Sequence, residues 1–209
     1  MTGGASEPTP ARCTGVILAG GGATRFGGAP KGLARLAGSR VLDRVAAALR
    51  QSADSLLLVA NDPDAASWLP GVPVVRDETP GCGPLGGLQA ALRRTARPVL
   101  VVAWDMPFVT APLLRALRDA GERAGPGAVL PEGPDGLPEP LCAWYDGAAI
   151  AVVDALLARG ERRMSALAEA LAVERLPRDA VARCGDPARL FANVNTPDDL
   201  ARAEELLRG

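Results

Sequence analysis

The residues Leu18-Ala19-Gly20-Gly21-Gly22-Ala23-Thr24-Arg25-Phe26-Gly27-Gly28-Ala29-Pro30-Lys31 follow directly from an apolar run. Consecutive glycines permit backbone paths that a Cβ resists. Such a loop can turn its N–H groups inward on a phosphate chain. Arg25 and Lys31 add two fixed positive charges, so the segment suits a polyphosphate. A glycine turn without a ligand is the competing reading, and the two cations straight after a strand weigh against it. Two better-known phosphate loops are excluded. G-x-G-x-x-G read from Gly20 meets Arg25 where its last glycine belongs, and Pro30 and Gly32 flank Lys31 where the Walker pattern needs Gly and Ser/Thr.

Three further groups could do chemistry. Asp105, in Trp104-Asp105-Met106-Pro107, follows the most apolar run of the chain. An acidic residue at the carboxyl end of a central parallel strand faces the crevice where such sheets bind ligands. Mg²⁺ favours carboxylate and phosphate oxygens, so Asp105 is a candidate ligand for a magnesium ion bridging a nucleotide; a helix cap or loop aspartate is the alternative. Asp77 precedes Gly81-Cys82-Gly83-Pro84-Leu85-Gly86-Gly87. It could contact a base or a ribose, or be a solvated turn residue, and the glycines could let a helix N-terminus approach the ligand. Asn193 and Asn195 flank Val194, so in an extended segment both amides point to one side; turn and cap hydrogen bonding is their alternative role.

Composition removes whole classes of mechanism. The 209 residues include no histidine. A Ser-His-Asp or Cys-His nucleophile is therefore impossible within the chain, as are Cys₂His₂ and HExxH zinc sites. The 23 basic against 24 acidic side chains give a net charge of −1, which argues against a general nucleic-acid binder. No apolar run approaches the ~20 residues of a membrane span. Cys13, Cys82, Cys142 and Cys184 form no CxxC pair, so they read as reduced thiols of a cytoplasmic protein.

These residues need a scaffold, and the apolar pattern supplies one. Strands are expected at 15–19, 55–60, 72–75, 98–104, 128–130 and 141–145. Helices are expected at about 40–51 and 83–95, from Thr110 as cap, at about 147–158 and 163–171, and from Pro197 after Thr196 as cap. Continuous apolar strands separated by helices imply a parallel sheet covered on both faces. The expected fold is α/β, three-layer and doubly wound, with a mostly parallel sheet. Residues 1–12 read as a disordered N-terminal tail and 13–209 as a single domain. The proline- and glycine-rich 126–140 segment reads as a mobile loop around its strand.

LAGG-x-x-x-R-x-G…PKG after the first strand resembles the signature of the nucleotidyltransferase A-fold family. Within it, LAGGGATRFGGAPKG, RD…GPLGGL, WDMPFV, GERRMSAL and FANVNTPDDL most resemble the molybdenum cofactor guanylyltransferases, in matching order from about residue 14 to the end. The resemblance implies a Rossmann-like nucleotidyltransferase A fold. It also implies transfer of GMP from GTP to molybdopterin, with Mg²⁺ and release of pyrophosphate. Leu18, Ala19 and Gly20 would line the nucleotide, Lys31 would pair with the triphosphate, and Asp77 would sit near the base. Asp105 would hold the metal, and Arg25 would offset charge on the leaving pyrophosphate. Asn195, or Asn193, would assist around metal and acceptor. Contacts with other cofactor-biosynthesis or acceptor proteins are a further implication, and nucleic acid and membrane are not. The sequence departs from the pattern at Trp104, where many relatives carry a small residue, and at Val59, where some carry asparagine; the nearest asparagine here is Asn61.

Other readings stay open at this point. A cytidylyltransferase acting on the same pterin, or a guanylyltransferase for a phospholactate-type deazaflavin precursor, would share the fold. A catalytically silent nucleotide-binding module would lack the chemistry that Lys31 and Asp105 offer. Arg25 in the fingerprint disfavours a Rossmann oxidoreductase.

Overall fold

Leu57 to Ala60 and Val99 to Ala103 carry no polar side chain, and every one of these residues is buried. Strands of this kind must be covered on both faces, which dictates a layered architecture. A computed structural model describes residues 13–20, 30–79, 81–125 and 127–208. The expected tail at 1–12 lies outside the described residues.

Strand β1 spans Thr14–Ala19. A one-turn 3₁₀ helix at Lys31–Leu33 and a small hairpin, β2 (Arg35–Leu36) and β3 (Ser39–Arg40), lead into α1 (Val41–Arg50). Then follow β4 (Ser55–Ala60), β5 (Val74–Val75), α2 (Gly83–Thr95) and β6 (Val99–Ala103). Next come α3 (Ala111–Ala124), β7 (Ala128–Pro131), β8 (Cys142–Tyr145), α4 (Ala149–Ala158) and α5 (Met164–Ala170). The chain ends with β9 (Val173–Leu176), the short helices α6 (Arg178–Ala182) and α7 (Pro187–Leu190), and α8 (Pro197–Arg208).

Among the described residues the main sheet has seven strands, in the order β5-β4-β1-β6-β8-β7-β9. Only β8 runs against its neighbours among these strands; the others share one direction. Alternate side chains of β1 feed two cores. Ile17 and Ala19 pack with Leu42, Val45, Leu113 and Leu117 of α1 and α3. Val16 and Leu18 pack with Leu85, Leu88, Val153 and Leu167 of α2, α4 and α5. The sheet is thus doubly wound, as the apolar pattern predicts. A third, smaller core joins Leu36, Val41 and Phe108 to Val194 and Ala203, fastening the carboxyl-terminal segment beside the end of β6.

Helix ends follow local chemistry. Thr110 Oγ1 accepts the Leu113 N–H at 3.4 Å and caps α3, as expected. At α8 the cap is reciprocal: Asp199 N–H donates to Thr196 Oγ1 at 3.1 Å, while Asp199 Oδ2 accepts the Thr196 N–H at 2.9 Å. In α3, a Cβ on Gly121 would come within 2.3 Å of the Trp144 indole, so glycine there lets the helix lie directly on the sheet.

One expectation needs adjustment. The strand expected at 72–75 pairs only through Val74 and Val75, because Val72 is still in a turn and Pro73 has no N–H to donate. Residues 131–139 close through Gly133 N–H to Leu137 O (2.7 Å) and Glu139 N–H to Pro131 O (3.0 Å). These bonds tie down part of the 126–140 segment that the sequence reads as a mobile loop. Among the described residues, no helix is long and apolar enough to cross a membrane.

Candidate active site

The chain leaves β1 toward β4 and β5, then returns to place β6 on the other side of β1. Open α/β sheets bind ligands at such a reversal, outside the carboxyl ends of the strands. Here those ends carry Ala19-Gly20 and Trp104-Asp105. Leu18 and Ala103 are register partners, and the Trp104 N–H donates to Leu18 O at 3.2 Å. A cleft of about 490 Å³ opens over them, a size that suits a small-molecule ligand. Leu18, Ala19, Gly20, Lys31, Asp77 and Asp105 all line it. The structure therefore brings together six residues that the sequence singles out. Arg25 lies outside the described residues.

Lys31 is delivered by a packing device. Its one-turn helix lies on the Trp104 ring, which stacks on Trp68 with centroids 5.4 Å apart. A Cβ on Gly32 would approach Trp104 to 2.3 Å. Small Gly32 and large Trp104 are thus matched, and together they fix the height of Lys31 above the sheet. Its Nζ donates to Asp105 Oδ2 at 2.5 Å and to Asn195 Oδ1 at 2.6 Å. The Lys31 and Asp105 side chains are only 14% and 12% exposed.

Asn195 is held from two directions. The Val194 N–H donates to Asp105 O at 2.8 Å, and the Asn195 N–H donates to Asp199 Oδ2 at 3.0 Å. Burial of the Asp199 carboxyl opposes its ionisation, but hydrogen bonds with Thr196 and the Asn195 and Thr196 N–H groups outweigh it and hold the pKa below the usual carboxylate range. Asn193 makes no side-chain hydrogen bond among the described residues, so of the two amides it is Asn195 that joins the site.

The Lys31 ammonium marks a place where a cation sits between two hard oxygens. Asp105 Oδ2 and Asn195 Oδ1 are the donor types that Mg²⁺ prefers. Among the described residues no cluster of three or more His, Cys, Asp or Glu side chains accompanies them. Such a sparse set matches an ion that takes its remaining ligands from phosphate and water. The residues present fit a divalent cation shared with a polyphosphate.

The far wall of the cleft is polar in a different way. Asp77 stands just beyond β5, and Asn61 just beyond its neighbour β4. The Asn61 amide donates to Asp77 Oδ2 at 2.9 Å, and its oxygen accepts the Asp77 N–H at 2.9 Å. Gly86 and Gly87 of α2 face this pair: Asp77 Oδ1 lies 3.6 Å from where a Gly87 Cβ would be. Beside the start of α2, the Arg162 carbonyl comes within 4.0 Å of the Gly83 Cβ position. That loop is organised by Glu161, whose carboxylate bonds to the Arg163 guanidinium and the Arg163 and Arg162 N–H groups, and whose pKa falls to about 2.

Sequence reasoning assigns no function to Asn61, Gly32, Trp68 or Asp199. Asn61 and Asp77 share the 16-residue offset of the β4–β5 register, Leu58 with Val74, and that offset is a usable signal once the strands are paired. The Gly32–Trp104 contact has no sequence signature.

The model of the MobA-like NTP transferase domain matches residues 15–176. The chain belongs to this family. It is 40% identical over 203 residues to the molybdenum cofactor guanylyltransferase of Cereibacter sphaeroides, covering 94% of this chain and 98% of that one. It is similar to the crystal structure of molybdopterin-guanine dinucleotide biosynthesis protein A from Archaeoglobus fulgidus, with TM-score 0.80 and 31% identity over 93% of this chain and 98% of that one. A Mycobacterium tuberculosis protein solved in complex with manganese shares the fold, with TM-score 0.67 and 22% identity over 94% of this chain and 100% of that one.

Proposed function

We propose that this MobA-like protein transfers GMP from GTP to the terminal phosphate of molybdopterin or its metal-bound form. Residues 13–209 act as one nucleotidyltransferase domain. The observation that carries the reading is the cleft with two chemically distinct ends: Lys31, Asp105 and Asn195 at one, Asp77 and Asn61 at the other. The first end suits a polyphosphate with a divalent cation, and the second suits a base edge rich in donors.

In the reaction a phosphate oxygen of the acceptor attacks the α-phosphorus of GTP. A phosphoanhydride bond forms, the bond between the α-phosphorus and its bridging oxygen breaks, and pyrophosphate leaves with the electron pair. A phosphate monoester has its second pKa at about 6, so the nucleophile arrives ionised. No general base is needed, consistent with a chain that has no histidine. The barrier is electrostatic, and positioning with charge neutralisation meets it.

The backbone of Leu18, Ala19 and Gly20 lines the nucleotide. Lys31 exchanges its contacts with Asp105 and Asn195 for the triphosphate oxygens. Arg25, in the glycine loop, offsets charge on the departing pyrophosphate. Asp105 and Asn195 would hold Mg²⁺, which when bound supplies further neutralisation of the phosphates. Asp77 accepts hydrogen bonds from the guanine edge. The test is Asp105→Ala: turnover with GTP, Mg²⁺ and molybdopterin should vanish while the far-UV dichroism stays that of the folded chain. Near-normal turnover would contradict the assignment.

A further inference from the structure

Asp77 can read guanine only if its carboxylate is turned to the base. Guanine presents N1–H and the N2 amino group side by side, two donors that match one carboxylate. Cytosine and adenine present a ring acceptor at the corresponding place, which a carboxylate repels. Selectivity of this kind depends on orientation. A freely turning carboxylate would accept a single donor from many bases.

We propose that Asn61 is the positioning residue that sets nucleotide selectivity, by locking the Asp77 carboxylate through a closed pair of hydrogen bonds. The proposal rests on the guanylyl-transfer reading above. Its basis is the geometry beyond two strand ends. β4 and β5 are parallel partners, with Leu58 opposite Val74 and Val59 opposite Val75. Asn61 and Asp77 keep the same 16-residue offset two places beyond Val59 and Val75, after regular pairing has stopped. There the Asn61 side chain substitutes for the ladder: its oxygen takes the Asp77 N–H at 2.9 Å and its amide nitrogen donates to Oδ2 at 2.9 Å.

An amide does this because it carries both a donor and an acceptor. Aspartate at 61 would set carboxylate against carboxylate, and leucine would leave the Asp77 N–H and Oδ2 without these partners. With Oδ2 engaged on the Asn61 side, the carboxylate plane is fixed. Oδ1 then lies toward Gly87, 3.6 Å from where its Cβ would be, in a corner closed by Leu18 and Val59 at 3.1 and 3.5 Å from that point, so a side chain at 87 would crowd the carboxylate. Asn61, Asp77 and Gly87 all line the cleft. Asn61 is exposed and Asp77 only half-buried, and a base lying over them would shield the pair from water and strengthen it.

The experiment is calorimetric binding of GTP, CTP and ITP, each with Mg²⁺, to the full chain and to Asn61→Leu, Asn61→Asp and Asp77→Ala. ITP keeps N1–H and lacks the N2 amino group. Wild type should prefer GTP over both, and Asp77→Ala should lose that preference. In Asn61→Leu and Asn61→Asp the ratio of CTP to GTP dissociation constants should fall by about 10- to 100-fold, the effect of misplacing charge-assisted hydrogen bonds. The ITP-to-GTP ratio should fall with it, and the melting temperature should stay near that of wild type. A purely structural role would weaken all three nucleotides in proportion, and that result overturns the proposal. So does an unchanged ratio in both Asn61 variants beside a lost ratio in Asp77→Ala, with the guanylyl reading left standing. A wild type that does not prefer GTP overturns that reading and the Asn61 proposal with it.

Discussion

Lys31→Ala removes one member of an ion pair whose nitrogen and oxygen are 2.5 Å apart and whose side chains are 14% and 12% exposed. At an effective dielectric of about 20, unit charges at such contact attract by roughly 4–7 kcal/mol. Desolvation offsets much of that, but deleting one partner leaves the other charge buried and unpaired, at a cost of about 3 kcal/mol. For a chain of this length, each kcal/mol corresponds to about 2–4 °C in melting temperature, so the variant should melt about 6–12 °C below wild type. The same change frees Asp105 Oδ2 and Asn195 Oδ1 from the ammonium. Without nucleotide, Mn²⁺ should therefore raise the variant's melting temperature more than that of wild type, since saturation to about 100 times the dissociation constant gives about 2.7 kcal/mol. The assay is a thermal melt with and without Mn²⁺. A variant that melts within 2 °C of wild type, or that gains no more from Mn²⁺ than wild type does, would refute the view of Lys31 as occupant of a cation position; these thresholds are about the size of one kcal/mol.

Gly32→Ala forces a methyl against Trp104 and should cost about 1–3 kcal/mol, with GTP affinity reduced because the turn carrying Lys31 is displaced. Gly121→Ala meets Trp144 at a similar 2.3 Å away from the cleft, so urea melts should show a comparable loss with GTP binding retained. Asp199→Ala removes the carboxylate that holds the Asn195 and Thr196 N–H groups; about 1 kcal/mol of stability should be lost, and Mn²⁺ affinity should fall with it. Burial raises the Cys13 thiol from 9.0 to about 12. Its folded pKa lies above the unfolded one, so its contribution to stability is whole below pH 9 and drains away as pH rises toward about 12. Denaturant melts across that range should show the decline, and one that stays flat would count against the buried thiol.

How much of this was legible depends on what kind of signal each element carries. Ser55–Ala60 and Gly83–Thr95 appear where the sequence puts them, because an unbroken apolar run and a proline in the first turn are local signals. The direction of β8 is not local: its apolar residues read as strand, but only pairing with β6 and β7 makes it antiparallel. Strand β9 carries no sequence signal, because Glu174 and Arg175 lie on an exposed edge, where no apolar periodicity is required. The hairpin β2–β3 and the helices α6 and α7 are too short to show a period. In the site, Lys31 and Asp105 are legible from residue type and flanking strands. The convergence of Asn195 on Lys31, 164 residues away, depends on the Val194 anchor in the third core and has no local trace. Asn61 stands out only once β4 and β5 are laid side by side.

The central claim is guanylyl transfer at the cleft between Gly20 and Asp105. Pyrophosphate release, measured with purified molybdopterin, Mg²⁺ and each of GTP, CTP and ATP, tests it most directly. The account predicts acceptor-dependent release with GTP and little with CTP or ATP. Release with CTP equal to or above that with GTP, or none with any nucleotide, would contradict it.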